Sequence, residues 1–147
     1  MARWLISVLV MAAAAQAGCA SDTHATRAAE PLYLALKVSE NGHTVGSPRV
    51  LGFEGRSITT ERRAPGATLP DYRLRLRPEE AGNGYRVLLD LELPSGKHLG
   101  GRLKLMHGEE RVVRLDASTQ LTVLLMRVDS PEFKALMNLQ PRQPVAI

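Results

Sequence analysis

From residue 32 onward, apolar side chains recur at every second position. Leu32, Leu34, Leu36 and Val38 alternate with Tyr33, Ala35, Lys37 and Ser39, the period of a strand with one buried face. Asn41-Gly42 follows, a dipeptide suited to a tight hairpin because both central residues need positive φ. Residues 45–53 predict a second strand, broken or bent near Ser47-Pro48, since proline has no N–H for a ladder and belongs at an edge or bulge. Glu54-Gly55 turns the chain into a third, more polar strand at 56–61. A loop rich in turn residues spans 62–71, after which Tyr72, Leu74 and Leu76 alternate with Arg73, Arg75 and Arg77. Residues 78–84 read as a turn ending in Asn83-Gly84. Tyr85, Val87, Leu89, Leu91 and Leu93 then face one way, opposite Arg86, Leu88, Asp90 and Glu92. Strands at 99–106, 111–116 and 121–128 complete a set of eight. Short glycine-containing turns at this spacing predict an all-β fold, an antiparallel sandwich or barrel.

One helix is expected in this region. Ser130, Pro131 and Glu132 supply an N-cap, a first-turn proline and a first-turn acid. Phe133, Leu136 and Met137 share a face at helical spacing, which suggests a plug over one end of the sandwich. The strand order also hints at a duplication. Gly42, Val45-Gly46, Val50-Leu51, Gly55 and Ile58 parallel Gly96, Leu99-Gly100, Leu103 to Leu105, Gly108 and Val112. The reading is two four-stranded halves packed face to face; chance similarity between two β-meanders is the alternative.

The N-terminus has a different pattern. Arg3 precedes a 12-residue apolar run at 4–15, too short for a membrane span of about 20 residues and suited to an export signal. Ala15-Gln16-Ala17 offers a small-x-small cleavage site, which would release a soluble protein. Ala17-Gly18-Cys19 resembles the end of the bacterial lipoprotein lipobox, with Gln16 where an aliphatic residue is usual. The resemblance implies that Cys19 is lipidated and becomes the mature N-terminus. By the lipoprotein sorting pattern, Ala20 in place of an aspartate implies the outer membrane. Cys19 is the single cysteine of the chain, so a disulfide framework and a multi-cysteine zinc site are excluded. A lone thiol is a liability in an oxidising compartment, and lipidation removes it. The expected organisation is a signal at 1–18, a tether at 19–30, a β-domain at 31–139 and a tail at 140–147.

The 147 residues are 44% apolar and 23% charged, the composition of one globular domain. Fifteen arginines stand against four lysines. Arg73, Arg75 and Arg77 project from one face of a strand about 7 Å apart, a row whose guanidinium forks suit phosphate or carboxylate. Pairing across the sheet with Asp90 and Glu92 is the blander expectation. The formal charge of +4 falls to +3 once Arg3 leaves with the signal, and aromatics are only 4%, so nucleic acid is not an expected partner. His24, His43, His98 and His107 lack metal-ligand spacing, and Glu79-Glu80 and Glu109-Glu110 flank turns where neighbouring side chains point apart. Residues for a nucleophile elbow, phosphate loop or dinucleotide fingerprint do not occur together. Neither a catalytic residue, a metal nor a cofactor is expected.

Residues 45–51 (Val-Gly-Ser-Pro-Arg-Val-Leu), followed by Glu54-Gly55-Arg56-Ser57-Ile58, resemble a strand–turn–strand stretch in the β-domain of bacterial secretins. The similarity in strand and turn order continues to about residue 91. It implies a small extracytoplasmic β-domain. The leading expectation is a non-enzymatic, membrane-tethered envelope lipoprotein that binds a protein through the sheet edge near Pro48 or the Arg73/Arg75/Arg77 face. Two alternatives are an accessory subunit of a secretion or pilus machine, and a soluble periplasmic hydrolase or metal-dependent enzyme built on His43, His98 or His107 with Glu109 or Asp116.

Overall fold

A computed structural model describes residues 27–139. Within these residues the chain forms nine strands and one helix. They are β1 (Pro31–Glu40), β2 (His43–Gly46), β3 (Arg49–Phe53), β4 (Ile58–Arg62), β5 (Tyr72–Ala81), β6 (Gly84–Glu92), β7 (His98–Leu105), β8 (Glu110–Arg114), β9 (Thr119–Arg127) and α1 (Pro131–Leu139). All strand pairs are antiparallel, in two separate sheets. Sheet A runs β2-β1-β9-β8, with β3 also pairing β1; sheet B runs β4-β5-β6-β7. The fold is therefore a sandwich and not a closed barrel. The ninth strand arises because Ser47-Pro48 splits one expected strand into β2 and β3. Both pieces pair with β1, and Leu36 N–H donates to the Pro48 carbonyl between them at 2.9 Å.

The inward face of every long strand feeds one core. Leu34, Val38, Leu74, Val87, Leu91, Leu121 and Leu125 are completely buried and belong to a single cluster drawn from both sheets. Asn41 and Gly42 adopt φ of 51° and 79°, the paired positive values expected of a tight hairpin.

Two sequence expectations change. Residues 78–81 continue β5 instead of turning. Pro78 is tolerated there because it lies beyond the last β4 partner, Leu76. Its carbonyl on that side is taken by Gly55 N–H at 2.7 Å, where no ladder N–H is required. The helix also does not plug the sandwich end. Its Phe133 ring lies 5.2 Å from that of Tyr33, which points away from the core on the outer side of sheet A. Ser130 caps it as expected, accepting from Phe133 N–H at 3.2 Å.

The pairing register repeats between the two halves. Leu34 faces Val50 on β3 and Leu125 on β9; 53 residues later, Val87 faces Leu103 on β7 and Pro78 on β5. Ile58 faces Leu76, and Arg111 faces Val123. The same offset of 53 relates the first three strands of each half, and 47 relates the fourth. The missing six residues belong to the loop before β5, which is longer than its counterpart before β9. Gly55 and Gly108 have φ of 73° and 74° and donate to Pro78 and Leu125, equivalent fourth-strand carbonyls, at 2.7 and 2.8 Å. The halves are not stacked face to face, however. Sheet A takes β1, β2 and β3 from the first half and β8 and β9 from the second, and sheet B takes two strands from each, because the chain crosses between sheets at these two glycines and the first strand of each half pairs with the last strand of the other.

Residues 27–30, expected to be tether, are tied to the domain. Glu54 N–H donates to the Glu30 carbonyl at 2.9 Å. The Glu30 carboxylate accepts from the Tyr85 hydroxyl and lies 3.3 Å from Arg127 Nε, which also donates to the Tyr85 oxygen at 3.0 Å. Burial first, and the Glu30 hydrogen bond second, push the Tyr85 hydroxyl up to about 12. An unfolded tyrosine ionises near 10. The protonated hydroxyl thus contributes its full stabilisation below pH ~10, and the contribution is lost as pH rises from about 10 to 12. Tyr85→Phe is expected to lower stability at neutral pH by ~1–2 kcal/mol and to flatten the alkaline loss. Urea titrations from pH 7 upward check this; an unchanged alkaline slope would refute it.

Candidate functional site

Strand alternation sends Arg73, Arg75 and Arg77 to the outer side of sheet B, as expected. There the cross-strand register decides their company. Arg73 sits between Glu61 on β4 and Glu92 on β6, with contacts of 2.8 and 3.0 Å. The hydrogen bond to Glu61, then its charge and that of Glu92, raise the Arg73 pKa, while Arg73 and then Arg63 lower that of Glu61. Arg77 Nε lies 3.3 Å from Glu79. Arg75 faces Asp90 in register but makes no ion pair with another described residue. A cleft of about 110 Å³ is lined by Arg73, Arg75, Asp90, Glu92 and His98. The row is therefore largely matched by acids, and its middle member alone is uncommitted among the described residues.

Further cations without an ion pair among the described residues lie on β6 and β7. Arg86 stands directly opposite Lys104, and Arg102 opposite Leu88. Arg86, Arg102 and Lys104 line a cleft of about 340 Å³ with Ala81 and Leu103. Sequence reading had access to this arrangement. Counting outward from the Pro94-Ser95-Gly96 turn, with Glu92 opposite His98, places Arg86 against Lys104.

On sheet A, the edge near Pro48 presents apolar side chains. Leu51 and Phe53 are 66% and 47% exposed, and the Arg56 guanidinium lies 5.8 Å from the Phe53 ring centre. Leu51 stands beside Tyr33, which stands beside Met126. The helix shields Tyr33 and leaves Leu51 and Phe53 uncovered. β3 pairs with β1 on one side only among the described strands, so its other edge offers free backbone groups.

The histidines do not converge. His43 is an exposed β2 residue, and His98 lines the arginine cleft. His107 accepts from Arg127 N–H at 3.1 Å through Nδ1 and faces Glu132 at 3.4 Å through Nε2, joining the first turn of α1 to β9. Among the described residues, no three histidine, cysteine or acidic side chains are grouped as metal ligands. Asp116 is instead a turn residue. Its carboxylate accepts from Ser118 and Thr119 N–H at 2.8 and 2.6 Å, and these bonds, opposed by desolvation, hold it well below the usual carboxylate range. Lys97 lies 3.3 Å from both Glu40 and Asp116, tying three turns at the end of the sandwich opposite Tyr85. These polar clusters account for the packing of the ends. Cys19 and His24 lie outside the described residues.

In comparisons with protein families, curated proteins and solved structures, no family, protein or structure matches the chain.

Proposed function

We propose that this chain is a membrane-tethered lipoprotein of the bacterial cell envelope whose β-domain binds a protein partner without itself performing catalysis. The observation that carries the reading is Cys19. It is the one cysteine in the sequence, and it stands just after a short apolar run and a small-residue junction. A lipid on that residue would place the β-domain within a few residues of a bilayer, since the domain begins by Arg27. Among the described residues, no helix is long and apolar enough to cross a membrane.

For the partner surface, the free edge of β3 is favoured over the arginine row. Arg73 and Arg77 already have carboxylate partners. Leu51 and Phe53 are exposed beside a strand edge with no partner among the described strands, a combination suited to the addition of a partner strand with apolar anchors. Metabolic labelling with a palmitate analogue tests the anchor. The wild-type chain is expected to label and to fractionate with the outer membrane, and Cys19→Ser to abolish labelling. Equal labelling of the two would overturn the reading. Crosslinking through a photoreactive residue at Leu51 tests the surface; a discrete protein adduct is expected, and it should disappear when Phe53 is changed to Asp.

A further inference from the structure

Charge on the outer side of sheet B is segregated. Toward the Tyr72 end, Arg73 is matched by Glu61 and Glu92. Toward the β5–β6 hairpin, cations prevail. Arg86 and Lys104 are direct cross-strand partners, an arrangement that costs stability when charges are alike. Arg102 adjoins them across Leu88, and Arg111 of β8 donates to the Lys104 carbonyl. Glu79 is the acid opposite Arg86 in register, but its carboxylate pairs with Arg77. Glu109 lies further out, lining a neighbouring cleft with Lys104, Met106 and Arg111. None of Arg86, Arg102 and Lys104 forms an ion pair with a described residue, and the cleft they share contains no acid.

The position of this corner suggests its occupant. The chain joins the domain beside it. Arg27 pairs with Glu80 at 2.9 Å, and Glu80 faces Tyr85, the residue before Arg86. Eight peptide steps separate Cys19 from Arg27, a reach of at most about 28 Å. A lipid at Cys19 would hold this end of the sandwich closest to the bilayer. Three uncommitted cations within a shared cleft complement the phosphates displayed there, since basic residues near an anionic bilayer are each attracted to it.

We propose that the Arg86–Arg102–Lys104 corner binds the headgroup phosphates of an anionic membrane, laying the domain against the bilayer to which Cys19 anchors it. The nearness of the membrane rests on the lipoprotein reading; the charge complementarity does not. The test uses the full chain and two kinds of vesicle, phosphatidylcholine alone and phosphatidylcholine mixed equally with phosphatidylglycerol. The ratio of binding to the two isolates charge, because the N-terminal apolar segment and any lipid contribute to both. Wild type is expected to favour the anionic vesicles, less so as salt rises. The combined variant R86Q/R102Q/K104Q is expected to lower the ratio by roughly tenfold or more. The charge-matched variant K37Q/R49Q/R114Q, on sheet A, is expected to leave it nearly unchanged. R86K/R102K should retain the ratio, and circular dichroism should show both glutamine variants folded, with the first melting no lower than wild type once the like-charge rung is gone. Equal losses in the two glutamine variants, or no loss in the first, would overturn the proposal. So would a wild-type ratio near one accompanied by retention on immobilised polyglutamate, which would assign the corner to an acidic protein. Cys19→Ser separates the two readings: it should weaken binding to both vesicles and preserve the ratio, and unchanged binding to both would remove the anchor while leaving the ratio as the test of the corner.

Discussion

Leu74→Ala and Leu121→Ala are each expected to destabilise the domain by about 2–5 kcal/mol, the range for emptying a packed leucine site. They are also expected to cost the same to within about 1 kcal/mol. Both side chains are completely buried in the single core. Leu74 lies between Thr60 on β4 and Leu91 on β6. Leu121 lies between Val113 on β8 and Val38 on β1. Those are equivalent places under the offsets of 53 and 47, so the cavities should be alike. For a domain whose whole stability is on the order of 5–15 kcal/mol, the double variant should be largely unfolded. Urea denaturation of the three variants measures this. One leucine costing several times the other would show that the repeated register does not extend to repeated packing.

Gly84→Ala should destabilise the domain by about 1–3 kcal/mol, the cost of overpacking a tight site. A β-carbon there would stand 2.5 Å from the Leu105 carbonyl oxygen and 2.9 Å from Met106 Sδ. The oxygen belongs to the backbone of the neighbouring strand and cannot move aside without parting β6 from β7. Gly52 is the useful contrast. A β-carbon at Gly52 would meet Ile58 Cδ1 at 2.2 Å, but that is the end of a side chain with rotamers to choose from, so Gly52→Ala should cost less. Thermal melting of the two variants decides the order. If Gly84→Ala melts with wild type, the close approach of the strands is not a constraint on this fold.

The two pairs of positions differ in how far they were visible beforehand. Leu74 and Leu121 follow from alternation alone, since an apolar residue at every second place in a strand must share one buried face. The splitting of β2 from β3 was equally legible, because Pro48 interrupts the alternation. Pro78 misled for the same reason that Pro48 informed. A proline warns of a missing N–H, but only the neighbouring strands reveal whether an N–H was needed. β4 ends at the level of Leu76, and the Gly55 amide satisfies the Pro78 carbonyl beyond it. The helix was correctly placed in the chain by Ser130, Pro131 and Glu132. Its docking was not, because Phe133 has no sequence mark that distinguishes the end of a sandwich from the Tyr33 ring on its outer side.

Among charged groups the divide is sharper. The direction of Arg73, Arg75 and Arg77 was set by strand period, and their pairing by register. Glu61 and Glu92 come from strands on opposite sides of β5 and are 31 residues apart, so Arg73 is neutralised by two acids that no local pattern joins to it. Arg86 and Lys104 are isolated polar positions in the sequence; the register makes them direct neighbours, with the one acid of their rung, Glu79, paired to Arg77.

By itself, then, the chain's alternation determined that there would be antiparallel strands, where they would begin and end to within a few residues, and which face of each would be buried. The proposed membrane anchor rests on a different signal, the lipobox-like junction at Cys19. Tertiary structure alone decided which strands pair, that the two halves exchange their fourth strands between sheets, and which arginines remain uncommitted. The reason is one of range. Periodicity and turn chemistry act over a few residues and are written in neighbouring positions. The pairing of β1 with β9, or the meeting of Glu30 with Tyr85 and Arg127, depends on closing loops of many tens of residues around a shared core.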